Sequence, residues 1–187
     1  MVDRRVKGIL FAEYVRMIRS HKQYDWQSQL APEDLPFLEG RVAVAGWYPM
    51  VTFERFGNAI LHFVALDQLE AVRMWGRFSV DELRAAQPNL VEPGDPVETL
   101  QRFRVLRATY FDFPALEIEM LIDGAAQIVM TYHMGAKAEE AAAFQTMGFF
   151  ERQVELSGAT QVTAALSERS WAGDPRTLLT LSWDLMR

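Results

Sequence analysis

Apolar residues recur at two periods along this chain: helical spacing over residues 6–109, and alternation over much of residues 116–183. Val6, Leu10, Tyr14, Met17 and Ile18 fall three or four residues apart with Arg and Lys between them, which predicts an amphipathic first helix. Beyond Pro32 and Pro36, Trp47-Tyr48-Pro49 puts a proline where a new helix accepts one, at its first position. That helix carries Met50, Phe53, Phe56, Ile60 and Val64 inward. A further helix over residues 67–86 stops short of Pro88. Residues 88–96, with three prolines and Gly94, read as an ordered surface loop rather than a domain linker. Helical spacing returns over residues 98–109 through Leu100, Phe103 and Leu106.

The C-terminal part reads as two hairpins flanking one amphipathic helix, with strands over residues 116–122, 125–134, 160–170 and 176–183 and the helix over 138–157. The first hairpin has two possible registers. A two-residue Asp123-Gly124 turn sets Ile118 opposite Val129 and leaves Ile128 and Met130 beside Glu119 and Glu117. A three-residue loop with Gly124 left-handed pairs Ile118 with Ile128 and Leu116 with Met130, and is preferred because it keeps apolar residues on one face. It places Glu117 and Glu119 on the outer face, opposite Val129 and Gln127. In the second hairpin Val162, Ala164 and Leu166 share one alternation and Leu179, Leu181 and Trp183 another, around a turn at Ala172-Gly173-Asp174-Pro175. Ala138-Glu139-Glu140 opens the intervening helix with acidic residues where its dipole favours them, and Ser157-Gly158 closes it. Gly148 in mid-helix costs about 1 kcal/mol against Ala, so close packing against a neighbour is its expected reason.

Composition narrows the function classes. The 187 residues are half apolar or aromatic, with five Trp and twelve Phe, enough for one domain with a full core. The aromatic content either fills that core or lines a pocket or subunit interface. A net charge of −6 argues against a nucleic-acid footprint. The one basic cluster, Arg102, Arg104 and Arg107, is read as the solvated face of a helix, with an anion contact as the functional alternative. With no cysteine, disulfides, thiolate metal sites and a Cys nucleophile are excluded. Glu13 and Arg16 interrupt the early apolar stretch 8–18, so neither a signal peptide nor a membrane span is expected, and a soluble cytoplasmic protein is.

Val6-Lys7-Gly8 opening the first helix, Trp47-Tyr48-Pro49, Met147-Gly148-Phe149-Phe150-Glu151 through Gly158-Ala159, Gly173-Asp174-Pro175 and Trp183 together resemble one superfamily. It comprises heme-nitric-oxide/oxygen-binding sensors, vinyl-reductase-type ligand-binding domains and core subunits of vesicle-tethering trafficking complexes; the nearest resemblance is to a bacterial family of myxobacterial type. The resemblance implies an α+β fold, a helical N-terminal half (residues 1–110) packed on an antiparallel sheet of β-β-α-β-β order (residues 111–187), forming one ligand-binding-like domain. It also implies a pocket between helices and sheet, and dimerisation. Two departures stand out. Heme-binding relatives hold the propionates with Tyr-x-Ser-x-Arg just after the first hairpin, whereas this chain has Tyr132-His133-Met134-Gly135-Ala136; and residues 98–109, where the proximal His is expected, contain none. Heme, or any other cofactor, is therefore not expected. Vinyl-reductase-type members often carry cysteines around the last hairpin, and this chain has none.

Among residues that bear chemistry, His21, His62 and His133 lie far apart and without metal-motif spacing, and each reads most simply as a solvated or satisfied side chain. Glu117 and Glu119 pair on one strand face as exposed alternation, rather than as acid and base. There is no phosphate loop and no nucleophile elbow. The expectation is a non-enzymatic domain enclosing a small apolar ligand, with Trp47, Tyr48, Phe53, Tyr132 and Met134 as ligand-binding lining. The alternative is a homodimeric interaction module resembling a trafficking-complex subunit.

Overall fold

The computed structural model describes residues 3–185. The chain is α+β and its C-terminal part runs β-β-α-β-β, as the sequence pattern predicts. It forms two compact units, the first reaching Gln68 and taking in Ala108–Phe113, the second made of Leu69–Arg107 and the residues from Pro114 on. No helix among the described residues is long and apolar enough to cross a membrane.

The first unit contains β1 (Arg5–Lys7), α1 (Gly8–Ser20), α2 (Leu35–Glu39), β2 (Trp47–Pro49) and α3 (Met50–Phe63). Val6, expected on the first helix, is instead a fully buried strand residue that pairs with Tyr48 and bridges to Phe111. Its β-branched side chain suits the extended backbone. Helix α1 begins only at Gly8, where a Cβ would run into the Ala43 carbonyl. Its buried stripe is accordingly Phe11, Tyr14, Val15 and Ile18, while Leu10 and Met17 are half-buried. Pro49 is not the first helical residue. It ends β2 with extended backbone and precedes α3, because the strand ladder continues one residue further and Met50 N–H donates to the Arg4 carbonyl at 2.9 Å. Met50, Phe56 and Ile60 are buried as expected; Phe53 and Val64 are half-buried.

One feature of this unit is polar. The Asp34 side chain is fully buried and its carboxylate accepts from Arg55 Nε at 2.6 Å, Arg55 Nη2 at 2.7 Å and the Ala31 backbone N–H at 3.0 Å. Burial raises the Asp34 pKa, but the hydrogen bonds from Arg55, Thr52 and Ala31 and the Arg55 charge outweigh it and hold the carboxyl below its ordinary value.

The second unit contains α4 (Leu69–Ala86), α5 (Pro96–Leu106), β3 (Leu116–Ile122), β4 (Ala125–Met130), α6 (Ala136–Leu156), β5 (Ala159–Glu168) and β6 (Thr177–Leu185). Its four strands form an antiparallel sheet of order β3-β4-β6-β5. The first hairpin combines the two registers. Leu116 pairs with Met130 and Ile118 with Ile128, as preferred, yet Ile122 pairs with Ala125 around a two-residue Asp123-Gly124 turn. The offset is absorbed between Ile118 and Met120 by a β-bulge at Glu119. Strand β4 ends at Met130, four residues earlier than predicted, and Thr131 N–H turns to the Ala115 carbonyl at 2.8 Å.

Helices α4 and α6 cross at paired glycines. A Cβ at Gly148 would collide with the Arg73 carbonyl, and one at Gly76 with the Gln145 carbonyl. The close approach inferred for Gly148 thus has a reciprocal partner. Beside it, Arg73 Nε donates to the buried Glu151 carboxylate at 3.0 Å and Arg77 Nη2 to Glu155 at 2.6 Å. The basic cluster on and just after α5 does more than face solvent. Arg102 pairs with Glu92 and Glu98, while Arg104 donates to the Ile118 carbonyl at 2.9 Å and Arg107 to the Leu116 carbonyl, both on the edge strand β3.

Candidate functional site

In the first unit two of the predicted aromatics, Tyr48 and Phe53, sit in one ring cluster around Phe11. Strand β2 holds Trp47 and Tyr48 beside β1, and α3 supplies Phe53 one turn in. Tyr48 stacks on Phe11 at 4.4 Å between centroids, and Phe53 stacks on Tyr14 at 4.1 Å. Phe37 meets both Phe11 and Tyr48 edge-on. In each stack the α1 ring is buried and the other half-buried, so Tyr48 and Phe53 are the rings that reach the unit's surface. The Tyr48 hydroxyl accepts from the Ala43 N–H at 2.7 Å, which fixes the residue 43–46 turn against the ring. Trp47 takes a different role: the Lys7 ammonium lies 4.4 Å from its ring centroid and the Arg5 guanidinium 5.9 Å, a cation–π arrangement across the strand pair. The same unit has an open groove of about 770 Å³ beside α1, lined by Arg16, Arg19, Glu39 and Arg41 among others; none of the five predicted residues lines it. Arg19 in its lining donates to the Leu38 and Phe37 carbonyls at 2.8 and 3.3 Å, and also to that of Gly40, so it closes the C-terminal end of α2.

In the second unit Tyr132 and Met134 occupy the connection from β4 to α6. Tyr132 is buried and its hydroxyl lies 2.6 Å from Thr146 Oγ1 on α6. Burial pushes its pKa above the usual phenol value, against the lowering effect of that hydrogen bond. Met134 is half-buried, and its backbone N–H donates to Glu139 Oε1 at 2.8 Å, tying the connection to the first turn of α6. His133 between them is exposed, with a left-handed φ of +59°. The buried residues of α5 are Pro96, Thr99, Leu100 and Phe103, and Thr99 is engaged with the Glu92 backbone. Among the described residues no group of three or more His, Asp or Glu is placed to hold a metal ion.

Sequence pattern singles out Tyr48, Phe53 and Tyr132 but says nothing of what they touch. Tyr14 belonged to the predicted first helix as a core residue, with no signal that it would stack on Phe53. Thr146 and Glu139, which take up the Tyr132 hydroxyl and the Met134 amide, are ordinary polar residues of a helix until folding brings them back to the connection.

No family model matches the chain, and no curated protein sequence matches it. Solved structures do. The chain is similar to an Fe(II) unliganded H-NOX protein from K. algicida, with 12% identity, TM-score 0.65 and coverage of 96% of this chain and 97% of that one. An H-NOX protein from S. oneidensis in the Fe(II)NO ligation state matches at 12% identity and TM-score 0.66, over 95% of this chain and 99% of that one. A T. tengcongensis H-NOX variant matches at 11% identity and TM-score 0.61, over 95% and 97%. The chain therefore has the H-NOX fold.

Proposed function

We propose that this chain is a non-enzymatic sensory or ligand-binding domain that takes up a small apolar molecule without heme and works in the cytoplasm. The proposed ligand-contacting residues are Trp47, Tyr48 and Phe53 in the first unit and Tyr132 and Met134 in the second. The observation that carries the reading is the pair of aromatic stacks in the first unit, in which Tyr48 and Phe53 present half-open rings on a buried aromatic base. Such surfaces suit apolar ligands because the rings are rigid and a polar edge is already satisfied.

The K. algicida and S. oneidensis neighbours are iron proteins, and the residues of this chain do not fit the heme of heme-binding relatives. An iron porphyrin needs an axial donor and cationic partners for its propionates. Where heme-binding relatives have Ser and Arg, this chain has Met134 and Ala136, the first residue of α6. The remaining Tyr132 hydroxyl is buried against Thr146. The buried face of α5 offers Thr and apolar side chains, and the helix contains no His.

Native mass spectrometry of the freshly purified chain, compared with the same sample denatured, tests the proposal. A reproducible adduct of small-molecule mass, lost on denaturation and bound at least about tenfold more weakly after Tyr48→Ala or Phe53→Ala, supports it. Absence of any adduct, or a heme-sized adduct with a Soret band on hemin addition, overturns it. A second reading, a homodimeric interaction module, is favoured by the apolar side chains that α4 leaves in water, Met74 and Phe78.

A further inference from the structure

Helix α4 is apolar on two sides. Val72, Gly76, Val80 and Leu83 turn one side into the core of the second unit, and Gly76 on that side makes the crossing with α6. On the opposite side Met74 is 44% exposed and Phe78 64%. They are one turn apart, and the exposed Ala71 and Ala85 extend the same stripe in both directions. At 3.6 residues per turn the four side chains fall within an arc of about 60°. A lone exposed apolar residue is ordinary, but a stripe this regular, on a helix already anchored by its other face, is the geometry of a helix made to be covered.

The charges beside the stripe indicate what covers it. Glu70 at the start of α4 has a side chain 67% exposed, and Arg84 near the end is exposed. Fourteen residues separate them, which sets them about 21 Å apart along the axis and within about 40° of one another, on the same flank. A second α4 lying antiparallel, related by a two-fold axis beside residues 76 and 77, brings Met74 of one copy against Phe78 of the other. The same operation sets each Glu70 near the other copy's Arg84, and leaves Glu82 on the opposite flank. A parallel two-fold arrangement would instead put the two Glu70 side chains, and the two Arg84 side chains, on opposite flanks of the pair, where neither end gains a Glu70–Arg84 contact. Ala71 and Ala85 keep the two ends of the stripe flat enough for backbones to approach. The stripe is thus complementary to itself in shape and in charge, as a two-fold interface must be.

We infer that α4 is a dimerisation helix, and that its partner is a second copy of this chain packed antiparallel across Ala71, Met74, Phe78 and Ala85 and clasped by two Glu70–Arg84 pairs. This rests on the second reading above and names the surface on which it depends. The test is sedimentation velocity of the full chain from micromolar to submillimolar concentration. The wild type dimerises, Phe78→Glu weakens association by about tenfold or more, and Glu70→Arg and Arg84→Glu each weaken it. The double charge reversal, Glu70→Arg with Arg84→Glu, restores it. All three positions are exposed, so unchanged far-ultraviolet circular dichroism is expected in every variant. A chain monomeric throughout this range overturns both the dimer reading and the α4 assignment. A dimer indifferent to Phe78→Glu and to both single reversals keeps the dimer but removes it from α4. Single reversals that weaken the dimer without rescue in the double variant overturn the antiparallel register.

Discussion

Gly76 and Gly148 stand where any side chain would meet the backbone of the facing helix, so each is fixed by its partner rather than by local conformation. Gly148→Ala should cost about 1–3 kcal/mol through overpacking despite the better helix propensity of alanine. Gly76→Ala should cost a similar amount. Because one separation of α4 and α6 relieves both collisions, the double variant should lose less than the sum of the two, a coupling that urea denaturation of the four proteins measures. Gly148 is conspicuous in the sequence, since a glycine inside a strong helical pattern asks for a reason. Gly76 is not, because its reason lies some seventy residues away. Tyr132 shows the same asymmetry: the side chain stands out in the sequence, while Thr146, which takes its hydroxyl, carries no mark. Val6 reads as helical because helical spacing continues through it, whereas its pairing with Tyr48 and Phe111 is non-local.

At the scale of elements, the alternation of apolar residues makes both hairpins and the Leu116–Met130 pairing legible. The turn is not, because each candidate register satisfies a different stretch of the same hairpin and only a bulge reconciles them. Arg104 and Arg107 read as a solvated helix face, and they do lie at the surface. Sequence spacing alone has no means of showing that they spend hydrogen bonds on the free edge of β3. Unpaired edges invite pairing with other chains, and charged side chains laid on them are a known defence. The double substitution Arg104→Ala with Arg107→Ala should therefore cost about 1–3 kcal/mol for the two bonds. It should also aggregate sooner on heating, followed by light scattering, while Arg102→Ala, whose partners are Glu92 and Glu98, should not.

At the scale of the whole molecule, two carboxyls of the first unit are held below their ordinary pKa: Asp34 with Arg55, and Asp112, where burial is outweighed by Arg5. A depressed folded-state pKa contributes stability above the ordinary value of 3.8, and that contribution is lost as pH falls below it. Acidification should thus release amide protons of the first unit ahead of those in the sheet of the second, as hydrogen exchange at stepped pH would detect, and Asp34→Asn should flatten that response. The bulge at Glu119 bears on the chain in another way, through its length. Ile118 already pairs with Ile128 and Met120 with Gln127, so removing Glu119 leaves a continuous ladder with every other partner in place. A protein of this fold one residue shorter at that point forfeits only the Arg176–Glu119 ion pair. Loss of one residue from β4, which is paired on both sides, would throw two ladders out of step at once. The hairpin therefore offers natural variation a single place to add or drop a residue.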